Sequence, residues 1–482
     1  MAQSIHLTVV GTRFPQLALA TLMAKRGKRV LVVDALPESE GSVRGGTAYT
    51  FRKRPAPLFG MDSGGFLRKF LDEIGIGRVL VNKAYPPNPV SYQVVLPRHR
   101  LNVYPDRERF FAEVGREFPS SLDTMRELYG QWDEVAQSWL SGLDEIDELE
   151  RGWSHLAGIS RLVRGLMQTR KVRDHLRQLE DGGPVVDFLT LQHHFLGAQA
   201  PNLTIPSLSA SLIHHIGRRG TFKETLGTRG LTELTLQRFH EYGGEIVKGV
   251  GVSGLDLSPR GGLLVRLTDG REVNSRTMAT TDGIAAGITG LLNVRNGKRR
   301  GPAPLYPIRF YLAMDEKVVP VGMEDDLFMM RGDEGGPLGI RALYMALGPT
   351  GSEGFPAGGR RTLTVTALAG PGSMRSVTPE FSRAVKEDLL KALEAVIPFL
   401  DEGLESITSD IEPGEEFKTP RPLGTGVAAW DPGILGRTRI RKKFRGKAAI
   451  ISPPPWELGI EGEALAAIAV AGSLKKILGQ DG

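Results

Sequence analysis

Along the first 34 residues the apolar positions fall in the order strand, helix, strand. Ile5 to Val10 is a short β-branched run, Pro15 to Arg26 has helical composition and stops at Gly27, and Val30 to Val33 is a second apolar run ending at Asp34. That is a βαβ unit. The Gly-rich passage EGSVRGGTAYTFRKRPAPLFG then reads as loop, and FLRKFLDEIGIG as a short amphipathic helix. From Asp106 to about Arg219, Leu, Phe and Trp recur among interspersed acids and bases, which predicts mostly helix. At Gly227 the pattern changes. GTRGLTELTLQRFHEYGGEIVKGVGVSGLDL reads as a glycine turn, an amphipathic helix, a Gly-Gly stop and an extended segment. In GLLVRLTDGREVNSRTMATT, Leu263, Val265 and Leu267 alternate with other residues before the two-residue turn Asp269-Gly270, and a β-meander is expected. Beyond a basic linker, Asn296 to Gly301, strands such as TLTVTAL alternate with Gly/Pro loops, and Phe381 to Phe399 reads as an amphipathic helix. The chain closes with an apolar strand, a proline loop and an Ala-rich helix, GKAAIISPPPWELGIEGEALAAIAVAGSLKKIL. No fixed-period repeat is present.

The turn of the first unit carries the most specific chemistry. A dinucleotide-binding βαβ unit uses G-x-G-x-x-G: one Gly for the tight turn, one for backbone approach to the pyrophosphate, one for close packing of helix on strand. Here the turn reads Gly11-Thr12-Arg13-Phe14-Pro15-Gln16, so only Gly11 remains, with Arg13 and Gln16 at the other two positions. Pro15 removes one backbone N–H from the helix start that would face an anion. Asp34 stands where an acid takes ribose hydroxyls.

The chain has 482 residues, enough for two domains, one of them interrupted. Its 24% charged and 40% hydrophobic residues are ordinary for a globular protein, and a formal charge of +6 is modest for this length. No zinc-ligand spacing, Walker loop or RNA-binding signature points to nucleic acid. The absence of cysteine excludes disulfides, thiolate metal sites and cysteine nucleophiles. No signal-peptide pattern opens the chain, and the late apolar stretch Ala464 to Leu478 is broken by Lys475 and Lys476, so a cytoplasmic protein, soluble or peripheral, is the expectation.

Other constellations are weaker. His193-His194 and His214-His215 are adjacent pairs, which on a helix point about 100° apart and cannot clasp one ion, so structural or surface roles are expected. No G-x-S-x-G turn supports a hydrolase. The densest basic cluster, Arg437 to Lys447, includes Ile440 and Phe444 and reads either as a solvated hairpin or as a seat on anionic lipid. Trp456, in the last proline loop, is expected to pack in the core.

The order of these parts resembles the FAD-dependent amine-oxidase-like flavoproteins, and most closely their phytoene desaturase and carotenoid isomerase branch. The matching passages are IHLTVVG with KRVLVVDA, FLRKFLDEIGI, RHRLNVYPDRERFFAEVGREFP, the stretch from Gly227 through the Asp-Gly hairpin, and GIEGEALAA. The resemblance implies an α/β fold: a discontinuous Rossmann-like FAD-binding domain over residues 1–85, 225–300 and 420–482, with an inserted α+β substrate domain over 86–224 and 301–419. It also implies FAD as cofactor, an apolar and often isoprenoid substrate, and a cofactor site at Gly11, Arg13, Asp34, Gly41, Arg44, Gly459 and Gly462. The family's Gly-Gly-Arg after the second strand appears here as Glu40-Gly41-Ser42, with Arg44 as the nearest substitute, and Glu461 and Glu463 sit in the first turn of the last helix. Two readings follow. In one, the FAD site is weakened or lost and the fold serves to bind an apolar ligand, a membrane surface or a partner subunit; in the other, it is a working FAD oxidoreductase of desaturase or isomerase type. Without pyrophosphate, Arg13 is expected to pair with Asp34, Glu461 or Glu463, because a buried charge needs a partner. On a solvated face, those glutamates would simply complement the helix macrodipole.

Overall fold

A computed structural model describes residues 5–34, 42–45, 49–52, 57–148, 183–196, 214–223, 230–258, 261–281, 306–333, 335–349, 358–369, 378–411, 448–451 and 459–479. Trp456 and the basic cluster Arg437 to Lys447 lie outside them.

The first sheet has the order β7-β2-β1-β10-β9-β8, with β16 also on β10: β1 (Ile5–Val10), β2 (Val30–Val33), β7 (Glu245–Val247), β8 (Val252–Leu257), β9 (Leu263–Leu267), β10 (Glu272–Thr281) and β16 (Ala448–Ile451). β1, β2, β7, β10 and β16 run parallel, and β8 and β9 form an antiparallel meander. β10 is long enough to serve two partners: Glu272 to Ser275 pair with β9, and Met278 to Thr281 pair with β16. Between β1 and β2 lies α1 (Phe14–Lys25), buried at every position from Phe14 to Ala24. A helix apolar all round must be covered on all sides. Here it packs against α7 (Gly230–Glu241) and α10 (Gly459–Gly479) as well as the sheet.

The second sheet has the order β15-β11-β14-β13-β12-β5-β6. Its strands are β5 (Tyr92–Leu96), β6 (His99–Val103), β11 (Tyr306–Asp315), β12 (Asp326–Met330), β13 (Ala342–Leu347), β14 (Arg360–Ala369) and β15 (Leu404–Ser409). All pairs are antiparallel except β5 with β12. Both faces are apolar, and the two-residue period of a strand separates them. Leu327 and Met329 face a core shared with α8 (Pro379–Leu393) through Val385, Leu389 and Leu393. Phe328 and Met330 face the opposite core, shared with α4 (Arg107–Glu117), α5 (Leu122–Glu148) and α6 (Pro184–Leu196).

The passage read from sequence as loop after Asp34 contains a hairpin instead, β3 (Ser42–Gly45) with β4 (Tyr49–Arg52). Its partners are remote in sequence. Phe51 packs on Tyr311 of β11 with ring centroids 5.6 Å apart, and the Tyr49 hydroxyl meets Glu405, which also accepts from Arg360 at 2.9 Å. The segment 214–223 ties the helical layer to the loops around the first sheet. Phe222 N–H donates to Leu58 O at 2.9 Å, Asn88 N–H to Thr221 O at 2.9 Å, and Thr221 Oγ1 to Ser91 O at 2.7 Å.

Candidate functional site

Three elements frame the candidate site: the turn after β1, the end of β2, and the first turn of α10 with the loop before α2 (Phe66–Glu73). Gly11 sits at φ 109°, a conformation that costs a side-chain-bearing residue dearly, and its N–H donates to Val33 O at 2.8 Å. The tight turn is therefore kept. Arg13 occupies the N-cap position of α1 in extended conformation without capping through its side chain, and it is half-buried. Pro15 and Gln16 follow, both buried, with Gln16 at 0% exposure. Asp34 is anchored through its backbone N–H to Val247 O at 2.9 Å, and its Oδ1 accepts from Thr12 Oγ1 at 3.0 Å. That hydrogen bond closes the turn across the two strand ends.

Arg44 lies on β3 in register with Thr50, Gly41 is outside the described residues, and Gly459 begins α10 at φ 54° with Gly462 in its first turn. Glu461 differs from the solvated-face expectation. Only 1% of it is exposed, and its Oε1 accepts from Phe66 N–H at 3.1 Å. The reason is local. α2 has Gly65 at its N-cap and no side-chain cap of its own, so a carboxylate from α10 takes an N–H that would otherwise be an orphan. The loop leaves room only because residue 60 is Gly: it stands at φ +81°, and a Cβ there would come within 2.4 Å of Glu461 Cδ.

Charge at this corner is shared unevenly. Arg219 forks onto Asp62 Oδ2, at 2.9 Å from Nε and 2.5 Å from Nη2, while its Nη1 is 4.0 Å from Glu461 Oε1. The latter is electrostatic proximity, beyond hydrogen-bond range. Burial pushes the Glu461 carboxyl above its ordinary range, and Arg219 and the Phe66 N–H offset part of that effect. Its Oε2 is buried without a hydrogen-bond partner.

Sequence reading also missed a buried imidazole pair. His193 on α6 and His214 come from different adjacent pairs, yet their ring centroids lie 5.5 Å apart in the core beneath α5, at 2% and 1% exposure. Periodicity cannot reveal it, because the two residues meet only in tertiary structure.

No family model matches the chain, and no curated protein matches it in sequence. Solved structures do match. An oxidoreductase from Methanosarcina mazei aligns at 16% identity and TM-score 0.58, over 97% of this chain and 99% of that one. Cyclohexylamine oxidase from Brevibacterium oxydans aligns at 13% identity and TM-score 0.58, over 99% of this chain and 100% of that one. The chain shares the overall α/β fold of these two structures, a Rossmann-like unit joined to a second, largely antiparallel sheet. A RAB GDI from Plasmodium falciparum also aligns, at 12% identity and TM-score 0.50, over 85% of this chain and 89% of that one, so the same fold occurs under a name other than oxidase. Among the described residues no helix is long and apolar enough to cross a membrane.

Proposed function

We propose that this chain keeps the flavoprotein fold of the desaturase type while its FAD site is weakened or lost, and that it works by binding an apolar, isoprenoid-like ligand, a membrane surface or a partner subunit. The observation that carries this reading is the turn after β1. A pyrophosphate is gripped there by backbone N–H groups that glycines leave uncovered. Arg13 and the fully buried Gln16 stand at the two glycine positions, and Pro15 supplies no N–H. This donor set does not fit a backbone-gripped pyrophosphate. The Thr12 bond to Asp34 and the buried Glu461 carboxyl on α10 point the same way.

Gly11 and Asp34 favour the second reading, a working FAD oxidoreductase with an unusual phosphate grip, since Arg13 can bind phosphate through its guanidinium. The visible spectrum of freshly purified protein separates the two, because oxidised flavin carries its own absorption band. Colourless protein that stays colourless after FAD is added, yet is stabilised by a polyprenyl alcohol in a thermal-shift titration, is the expected result. Protein purified yellow, or turned yellow by FAD with a shift in melting temperature, would overturn the first reading.

A further inference from the structure

We infer that the segment 214–223 is a clasp holding the helical layer, and that acid undoes its His214 end while its Thr221 and Phe222 end stays attached. The inference does not rest on the reading of the cofactor site.

His214 is enclosed on every side. Its ring stacks on Trp132 of α5 at 4.1 Å with an interplanar angle of 3°, and its Nδ1 lies 3.2 Å from the Tyr129 hydroxyl. From α6 it faces His193, and on its own segment Arg218 and His215 follow. The nearby carboxylate, Asp133 on α5, is already engaged by His215 Nδ1 at 2.8 Å and by Arg218, with Arg107 of α4 at 3.8 Å. Although burial pushes the Asp133 carboxyl up, His215 and Arg218 hold it below its ordinary range. A proton on His214 would therefore add a buried charge beside Arg218 and His193, with no free acid among the described residues to meet it. Burial first, and then those two neighbours, hold the His214 imidazole well below its ordinary value. The sign follows from linkage: the folded chain binds this proton less readily than the unfolded chain, so the stability this packing contributes is full above about pH 6.5 and declines as pH falls below it.

The other end responds differently. Phe222 N–H to Leu58 O, Asn88 N–H to Thr221 O and Thr221 Oγ1 to Ser91 O involve no titrating group. Glu461, near Arg219, has its proton affinity raised, so acid relieves the burial of its charge. Protonation thus works against one end of the segment only. The consequence is a local opening of α5 and α6 over the apolar face of the second sheet that carries Phe328 and Tyr344.

Hydrogen exchange on the full chain, corrected for intrinsic rates, tests this at about pH 7.5 and about pH 5.5, either side of the ordinary histidine range. In the unaltered protein, protection in peptides from 122–135 and 184–196 should fall by up to roughly 10-fold at the lower pH, the most that one proton can supply over this interval, with peptides from 57–66, 5–10 and 272–281 unchanged. His214→Phe and His214→Gln should remove the acid response, and His215→Gln should retain it. Uniform loss across all peptides, no loss, or the same regional loss in both His214 variants would overturn the inference. If both variants already lack protection near neutral pH, the unaltered protein decides: loss confined to the two helices supports the clasp, and any other pattern overturns it.

Discussion

At the scale of single residues, Glu461 shows how position decides chemistry. In a first helical turn an acid usually complements the macrodipole from solvent. Here it is buried and serves the N-terminus of another helix, with Gly60 leaving the space it fills. Two substitutions separate its cap from its charge. Glu461→Ala removes the cap and opens a void, and should cost about 1–3 kcal/mol in urea denaturation. Glu461→Gln keeps an oxygen for the Phe66 N–H and discards the buried charge. Because the folded-state pKa of Glu461 is raised, its contribution is intact below the ordinary carboxylate range and is lost as pH rises through the raised value. Glu461→Gln should therefore be nearly neutral in acid and relatively stabilising toward neutral and alkaline pH. A constant difference across pH would mean that burial does not raise the proton affinity of this carboxyl. Neither role was visible in the sequence, which placed Glu461 at a helix start but could not place Phe66 beside it.

At the scale of elements, periodicity revealed what depends on neighbours in sequence. The βαβ unit, the meander with its Asp269-Gly270 turn and the last strand and helix all stand where the pattern of apolar residues puts them. The hairpin of β3 and β4 was hidden because its glycines read as loop, and because its aromatic residues, Phe51 and Tyr49, find partners on β11 and β15, 260 and 356 residues later. Its stability must then be tertiary. Phe51→Ala, at a site 1% exposed, should cost roughly 3–5 kcal/mol, in the range for buried aromatics. Tyr49→Phe, losing an exposed hydrogen bond, should cost about 1 kcal/mol or less. Equal effects in thermal denaturation would show that the hairpin does not dock on the second sheet through Phe51.

At the scale of the whole molecule, two sheets with apolar faces are joined by helices and by the short segment 214–223. Fold class was legible through the resemblance carried by the order of the passages, and the opening βαβ unit stands in the parallel part of the first sheet. The site was only partly legible: Gly11 and Asp34 stood out from the pattern of the opening turn and Gly459 only through the resemblance, whereas the burial of Gln16 and the Thr12 bond to Asp34 depend on how α1 seats between β1, β2 and α10. Surface attachment belongs to this scale as well. The basic stretch Arg437 to Lys447 should bring the protein to anionic vesicles at low salt and release it as salt screens the charges. Co-sedimentation that is absent at low salt, or unchanged by Lys442→Glu with Lys443→Glu, would exclude that contact.

The central claim is that Arg13 and Gln16 keep FAD from the turn after β1. The most direct measurement is the FAD affinity of the unaltered protein beside that of Arg13→Gly with Gln16→Gly, followed by flavin fluorescence and thermal shift. Weak or undetectable binding that strengthens by at least about 10-fold, or roughly 1.4 kcal/mol, in the double variant is the expected result. Tight binding by the unaltered protein, with the double variant no better, would contradict it and leave the working flavoenzyme as the function of this fold.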